Sequence, residues 1–161
     1  MEDIEIAEVG AQGAPRPRYI EDGGAGDRMA RAVMMFLTRL GISVLGSRIL
    51  RVRGRRSGEW RSTPVNLLTI GGVDYLVAPR GHTQWVRNLR VAGTGELRLG
   101  RRTETFVAEE LDDDAKPAIL REYLRRWKFE VGKFFEGIDA DSPEAELRRA
   151  APGFPAFAIH R

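Results

Sequence analysis

The sequence predicts a mainly β protein with additional helices, in which an antiparallel sheet curls into a small barrel. Two observations favour this class. Strand-like runs follow one another at hairpin spacing, joined by Gly71-Gly72 and by Gly100-Arg101-Arg102. Helical periodicity is confined to one long segment near the start, one short segment in the middle and the C-terminal third. We therefore expect about six antiparallel strands, an N-terminal helix, a short helix after the second hairpin strand, and C-terminal helices.

The composition describes a single globular domain with an electropositive centre. The chain has 161 residues, a net charge of +3 and no cysteine. The lack of cysteine excludes disulfides, thiolate metal sites and cysteine nucleophiles, and His82 and His160 form no metal motif. Residues 48–102 contain twelve arginines against three acidic residues. Such a field favours an anionic partner, namely nucleic acid, a polyanionic cofactor or an acidic membrane surface.

The first residues differ in composition from the rest of the chain. Residues 1–27 are rich in glycine, proline and acidic side chains, and we interpret them as a mobile tail ahead of one domain at 28–161. The start has no apolar h-region, and no apolar run approaches the ~20 residues of a membrane span. We therefore expect a cytoplasmic protein.

Residues 28–46 have the periodicity of an amphipathic helix. The apolar positions that recur on one face are Met29, Val33, Phe36, Leu37, Leu40 and Val44. Arginines lie between them, at Arg28, Arg31 and Arg39. The favoured interpretation is a helix that covers the core. The alternative is peripheral contact with an anionic membrane, where a helix with apolar and basic faces lies on the bilayer.

Six runs have the composition and length of β-strands. They are Ile49–Arg53, Val65–Ile70, Val73–Ala78, Glu96–Gly100, Thr103–Glu109 and Pro155–His160. A two-residue Gly-Gly connection predicts a hairpin between the second and third runs, because both positions adopt positive φ without strain. Pro155 predicts that the last run is an edge strand, since proline cannot donate to a ladder.

Three helices are predicted after the first hairpin. Thr83 is the expected N-cap of Gln84–Ala92, which Gly93 ends. A second helix follows Asp112-Asp113-Asp114, and a third begins at Ser142-Pro143-Glu144. Between these two helices, Phe129, Phe134 and Phe135 either line a hydrophobic pocket or form a satellite core.

The segment Gly54–Pro64 joins the first two strands, and we predict that all of it is a loop. Its glycines allow close backbone approach, so that several N–H groups can converge on one anion. Arg55, Arg56 and Arg61 add planar forks that bind phosphate or carboxylate in two places. One interpretation is a seat for the phosphate end of a cofactor. The other is a solvated hairpin tip whose charges serve solubility.

Three segments in order resemble the deazaflavin-dependent nitroreductase and quinone reductase family. They are Gly54-Arg55-Arg56-Ser57-Gly58…Arg61-Ser62-Thr63-Pro64, Ala78-Pro79-Arg80-Gly81 and Trp85-Val86-Arg87-Asn88-Leu89-Arg90. The resemblance runs from about Leu50 to about Phe106 and is weaker towards the C-terminus. It implies a split β-barrel similar to flavin-mononucleotide-binding oxidases. It also implies coenzyme F420, in preference to FMN, as the cofactor.

The resemblance also implies which residues bind the coenzyme, whose tail carries a phosphodiester and several glutamate carboxylates. These positions are Arg55, Arg56, Ser57, Arg61, Thr63, Pro64, Ala78, Pro79, Arg80, Gly81, Trp85, Asn88 and Leu89. Two departures from the family pattern are visible. The family's Ser-Lys-Gly segment reads Pro79-Arg80-Gly81, which keeps the cation and loses the hydroxyl, and the tyrosine after Trp85 is replaced by Val86. Taken alone, Trp85 is more often a core residue than a ligand contact.

The activity that the resemblance implies is hydride transfer from reduced F420 to a quinone, a nitroaromatic or an activated enone. The C-terminal tyrosines of family nitroreductases are not matched, so the substrate-pocket candidates are Tyr123, Trp127 and Phe134, and no proton donor is assigned. The alternative is a non-catalytic protein of the same fold that carries an anionic apolar ligand such as a fatty acid, a haem-like group or a flavin. Nucleic acid is not expected, because aromatic residues are not interleaved with the basic ones apart from Trp60. A monomer and a homodimer both remain open.

Overall fold

The structure, a computed structural model, describes residues 18–21, 24–39 and 46–161. Six antiparallel strands form a closed barrel with the order β1-β2-β3-β6-β5-β4. The strands are β1 (Ser47–Arg53), β2 (Trp60–Ile70), β3 (Val73–Val77), β4 (Thr94–Leu99), β5 (Arg102–Glu110) and β6 (Ala156–His160). The helices are α1 (Ala25–Arg39), α2 (Gln84–Ala92), α3 (Lys116–Val131) and α4 (Glu144–Ala150). The predicted class, an antiparallel barrel with helices, is confirmed.

Glycine turn chemistry determines the best-predicted elements. Gly71 and Gly72 have φ of 57° and 80°, as a two-residue hairpin between β2 and β3 requires. The helix α2 has the bounds that were predicted, and Gly93 ends it with φ of 69° while its N–H donates to the carbonyl of Leu89. At these positions the conformation is determined by the glycine itself, so the sequence alone can predict the turn and the helix end.

The strand β2 pairs with β1 over a longer stretch than it pairs with β3. Residues 60–66 pair with β1, whereas only residues 67–70 pair with β3. The N–H of Leu67 donates to the carbonyl of Gly46 on the β1 side. Since backbone groups alternate along a strand, those of Ser62, Pro64 and Asn66 point away from β1. The barrel therefore has a split beside the first half of β2, and Pro64 lies at a position where no partner strand needs an N–H.

The arginine-rich loop is shorter than predicted. β2 begins at Trp60, so the loop is residues 54–59 and the segment from Arg61 to Pro64 belongs to the strand. Trp60 pairs with Arg53 across the strands, and the guanidinium groups of Arg51 and Arg53 lie 4.8 and 4.2 Å from the centre of its ring. These cation–π contacts favour an extended conformation that residue preferences in this polar segment do not indicate.

Pro155 does not mark an edge strand, and this prediction was wrong. β6 pairs with β3 on one side and with β5 on the other. Pro155 precedes the strand, where the lack of an N–H removes no ladder bond, and its carbonyl accepts a 2.8 Å hydrogen bond from the N–H of Ala78. Ser142 is likewise not the N-cap of α4, since Pro143 has that position. The Ser142 hydroxyl instead accepts from the N–H of Asp139.

The helix α1 begins three residues before the predicted start at Arg28. Met29, Val33 and Phe36 on its predicted core-facing side are between half and about two-thirds exposed, so this face does not cover the core. Periodicity detects the helix but does not identify which row of side chains meets the sheet. Leu40, Val44 and most of the predicted tail, namely 1–17 and 22–23, lie outside the described residues. Contact with an anionic membrane stays a prediction.

Two apolar clusters fill the described part of the chain. One lies inside the barrel and includes Leu50, Leu76 and Phe106, and the other packs under α3. Of the predicted aromatic group, Phe135 belongs to the second cluster and stacks on the ring of Phe154 at 4.1 Å, whereas Phe129 is exposed. Among the described residues, no helix is both long and apolar enough to cross a membrane.

Replacing Gly95 by alanine should destabilise the barrel. Gly95 pairs with Phe106 across β4 and β5, and an added Cβ would lie 2.7 Å from that ring and 3.0 Å from the carbonyl of Arg51. We expect a loss of about 1–3 kcal/mol in the free energy of unfolding, because the site is already filled. Gly26→Ala is the matched control, since nothing lies within 4 Å of its Cβ in α1.

For Gly26→Ala we expect a gain of up to about 1 kcal/mol, because alanine is favoured over glycine in helices. Urea denaturation of both variants gives the two changes. Equal stability of Gly95→Ala and the wild type would contradict the packing assigned to β4.

Candidate functional site

A cleft of about 830 Å³ lies beside the split between β2 and β3. Its wall includes side chains from α1, β1 and the first half of β2, the segment after β3, the start of α2, and α3. The lining contains both polar and basic side chains and apolar ones. The apolar members include Met34, Leu50, Val52, Val65, Val77, Ala78 and Val131. No group of three or more metal-ligating side chains occurs within residues 18–21, 24–39 and 46–161.

The wall of the cleft is strongly electropositive. Seven cationic side chains line it, from Arg31, Arg55, Arg56, Arg61, Arg80, Arg87 and Lys133. Against them stand only two acidic side chains in the described lining, those of Asp27 and Glu130. This imbalance raises the local concentration of anions and lowers the free energy of an anionic ligand in the cleft.

Arg55 is fixed in place by uncharged acceptors on α2. Its backbone N–H and its Nη1 donate to Oδ1 of Asn88 at 3.2 and 2.8 Å, and Nη1 also donates to Oε1 of Gln84 at 2.9 Å. Asn88 is buried, so its amide oxygen is a rigid acceptor. Gln84 and Asn88 are spaced i, i+4 on α2 and therefore share a face. The loop is tied to the helix without neutralising the positive charge of Arg55.

Arg56 and Arg61 present their charges more openly. Arg56 is exposed and makes no hydrogen bond or ion pair with any residue that the structure describes. Arg61 lies 3.7 Å from Glu59, and both side chains are more than three-fifths exposed. An ion pair of this length in solvent is weak, so Arg61 remains able to bind another anion.

Most residues predicted to bind the coenzyme meet at this cleft. Eleven of the thirteen line it, and the exceptions are Gly81 and Leu89. Leu89 is buried inside the barrel, and Gly81 is covered by residues 18–20. The substrate candidates Tyr123 and Phe134 line the cleft, whereas Trp127 lies behind Tyr123 with ring centres 4.9 Å apart. Their roles in binding stay predictions.

Several lining residues were not predicted from the sequence. Arg31 of α1 reaches the cleft and donates from Nη2 to the hydroxyl of Thr63 at 3.2 Å. Gln84 was indicated by its spacing from Asn88, and that spacing was available in the sequence. Tyr19 had no such indication, because the composition of its surroundings is that of a mobile tail.

Tyr123, one of the two tyrosines in the described lining, is held in its neutral form. Burial raises the pKa of Tyr123 well above its usual range, although a hydrogen bond with the Asn66 side chain acts in the opposite direction. The Asn66 Nδ2 also donates to Oε2 of Glu130 across a long 3.5 Å. The phenol of Tyr123 and the amide of Asn66 are therefore neutral polar groups beside an apolar wall.

A sequence model of the family described as F420H(2)-dependent quinone reductase matches residues 28–139, more than half of the chain. Comparison with curated proteins finds no match. Among solved structures, one described as a domain-swapped dimer is similar with a TM-score of 0.51 and 16% identity, over 84% of this chain and 98% of that one. The protein Atu2129 of unknown function from Agrobacterium tumefaciens str. C58 has a TM-score of 0.51 and 15% identity, over 83% of this chain and 55% of its own.

A third structure, of the F420-H2 dependent reductase FDR-A, has 16% identity and a TM-score of 0.48, and the match covers 71% of this chain and 94% of that one. At these identities, structural likeness supports the fold alone. The split-barrel fold that the resemblance implied is confirmed.

The raised pKa of Tyr123 predicts a loss of stability at high pH. The unfolded chain releases the phenolic proton near pH 10, whereas the folded chain retains it, so the free energy of unfolding falls as the pH rises through that value. The slope from this group is at most about 1.4 kcal/mol per pH unit. Tyr123→Phe should remove that component, and Tyr75→Phe serves as the matched control.

Urea denaturation between about pH 8 and pH 11 measures these slopes. If wild type and Tyr123→Phe lost stability in parallel, the burial assigned to the phenol would be contradicted.

Proposed function

The chain belongs to the F420H(2)-dependent quinone reductase family, and on that premise we propose that it reduces an electron-poor acceptor with hydride from reduced F420. The acceptor classes are quinones, nitroaromatics and activated enones. The observation that carries the proposal is the cleft itself, in which seven cationic side chains flank an apolar wall. A polyanionic tail and a flat apolar ring need these two environments side by side.

The residues of the cleft fit the charge of this coenzyme. Its phosphodiester and glutamate carboxylates require several cations that are not already neutralised by carboxylates of the protein. Arg56 has no partner among the described residues, Arg61 has a weak one, and Arg55 is held by amide oxygens. Because Arg55 is fixed before a ligand arrives, binding costs less conformational entropy than it would for a mobile side chain. The volume of the cleft lies within the range of cofactor sites.

The open edge of β2 supplies backbone donors beside the apolar wall. The N–H groups of Ser62 and Asn66 point away from β1 into the split. Such groups bind carbonyl oxygens of a flat ring and stabilise negative charge there without moving. These donors would hold the ring of the coenzyme, and Val65 and Val77 are among the apolar side chains that would exclude water from it.

When bound, the coenzyme supplies the hydride, and the protein supplies orientation and electrostatics. On the acceptor side, the Tyr123 phenol stays protonated and can donate a hydrogen bond to an oxygen of a quinone, nitro or enone group. The Asn66 side chain, which bonds to the phenol and to Glu130, holds Tyr123 in place. Phe134 and Val131 contribute apolar surface for the carbon skeleton. Holding the acceptor in this way favours a near-attack arrangement.

Removing a cleft arginine should weaken F420 binding. Each of Arg56→Ala and Arg61→Ala should raise the Kd of F420 about tenfold, since each removes a charge-assisted hydrogen bond of about 1.5 kcal/mol. Arg102→Ala is the matched control, because Arg102 is exposed at the turn between β4 and β5 and pairs with Glu104. Titration with F420, followed by its fluorescence, gives the three constants.

Arg56→Ala is the cleaner variant, since the side chain has no partner among the described residues and its loss should not change stability. Absence of saturable F420 binding by the wild type would eliminate the proposed function. Equal weakening by Arg102→Ala would show that the effect is general electrostatics rather than this cleft.

Tyr123→Phe should lower kcat/KM for a quinone about tenfold while leaving the Kd of F420 unchanged, because the proposed role of the phenol is to donate to the acceptor and not to bind the charged tail. Stopped-flow oxidation of reduced F420 by a quinone, a nitroaromatic and an enone measures this and ranks the acceptors. If the protein binds reduced F420 but none of the three acceptors oxidises the bound coenzyme, the protein is instead a carrier. Native mass spectrometry of co-purified ligands would then identify what it carries.

A further inference from the structure

We propose that residues Arg18–Glu21, termed the strap, are part of the binding site and position Arg80 and Tyr19 at the cleft. In this arrangement Arg18 is the anchor, and Gly81 provides the space that admits the strap. The choice of F420 as the test ligand rests on the proposed function, whereas the contacts of the strap are independent of it.

The strap is paired with the segment that follows β3. The N–H of Ile20 donates to the carbonyl of Arg80 at 2.9 Å, and the N–H of His82 donates to the carbonyl of Arg18 at 2.8 Å. Tyr19 and Gly81 thereby form an antiparallel bridge. The Nε of Arg80 donates to the carbonyl of Ile20 at 3.0 Å. The strap therefore fixes the direction of a cationic side chain that lines the cleft.

Arg18 connects the strap to three separate parts of the chain. Its Nη1 donates to the carbonyls of Pro79 and Gly153 at 3.0 and 3.2 Å, and its Nη2 donates to the carbonyl of Phe134. The guanidinium also lies 4.3 Å from the centre of the Phe154 ring. Partial burial lowers the pKa of Arg18, yet an arginine remains charged at neutral pH. Five donors in a rigid fork suit such a site, and lysine cannot reproduce that geometry.

Gly81 is the position that makes the pairing possible. Its φ is 89°, and a Cβ placed there would lie 2.2 Å from the carbonyl oxygen of Arg18. The obstructing atom is backbone, so the contact cannot be relieved by a change of rotamer. Any side chain at residue 81 must displace the strap. A single added carbon therefore separates the strap from the cleft while leaving every arginine of the loop unchanged.

The strap contributes to the wall through Tyr19. The Tyr19 ring lines the cleft and lies 5.9 Å from the guanidinium of Arg87, whose Nε donates to the carbonyl of His82 at 3.0 Å. The strap thus meets two cations of the lining, Arg80 and Arg87. Arg80 and Arg87 lie just before and within α2, whereas Arg56 and Arg61 lie in the loop and in β2. A ligand with several negative charges along its length can bind both sets of cations. Loss of the strap should therefore weaken its binding.

The test compares Gly81→Ala with Gly72→Ala in the full chain. Gly72 has a similar φ of 80° but open space around its Cβ and lies at the hairpin between β2 and β3, so it reproduces the backbone strain alone. Trypsin cleavage measures whether the strap is released from the fold. Trypsin does not cut between Arg16 and the proline that follows it, so the first susceptible bond follows Arg18. We expect Gly81→Ala to be cut there at least tenfold faster than Gly72→Ala, and to bind F420 about tenfold more weakly by fluorescence titration.

Arg18→Ala is the second variant. It removes the anchor without adding an atom, so it keeps the test decisive if Gly81→Ala does not fold. Because it also removes the bond that trypsin cuts, chymotrypsin cleavage after Tyr19 measures the release of the strap in this variant. We expect this cleavage to be at least tenfold faster than in the wild type, and F420 to bind about tenfold more weakly. Cleavage after Arg18 without a change in the Kd of F420 would overturn the inference, as would equal cleavage of Gly81→Ala and Gly72→Ala. Failure of the wild type to bind F420 would instead overturn the proposed function. A thermal-shift titration of the same variants with pyrophosphate would then decide whether the strap supports an anion site.

Discussion

The site depends on holding several arginines close together without cancelling their charge. The structure does so by giving cleft arginines neutral acceptors. Arg55 bonds to the amide oxygens of Asn88 and Gln84, and Arg87 bonds to the carbonyl of His82. Several arginines elsewhere pair with carboxylates instead, as Arg90 does with Glu110 and Arg148 with Glu144 and Asp114. Amide and carbonyl oxygens hold a guanidinium in place by accepting its hydrogen bonds, yet they leave its full charge available to a ligand.

The barrel provides the geometry that this arrangement needs. Because only the second half of β2 pairs with β3, its first half can carry Arg61 and Thr63 into an open cleft. The short helix α2 starts beside the same opening and presents Gln84 and Asn88 towards the loop. Strand, loop and helix are each fixed by packing elsewhere, so the polar groups at their ends are positioned before any ligand binds.

The sequence predicts those features that short-range chemistry decides. Paired glycines determine the hairpin at Gly71-Gly72, and Gly93 determines the end of α2. The positions that carry the family resemblance largely meet at one cleft, which the order of motifs indicated. What escapes prediction depends on side-chain contacts between different segments of the chain. Trp60 extends β2 by contact with Arg51 and Arg53, and Arg18 joins the fold through Pro79, Phe134 and Gly153, none of which local composition reveals.

The first half of β2 pairs with β1 on one edge only, and its other edge has no partner strand among the described residues, which bears on association between copies of the protein. A row of free backbone donors and acceptors is a template on which a strand from another molecule can add, and such edges promote aggregation. Pro64 lies in the middle of this row and offers no N–H, and the charged side chain of Arg61 lies nearby in the same strand. Together they interrupt the ladder that an incoming strand would require. This edge therefore suits the binding of a small molecule better than the addition of a strand.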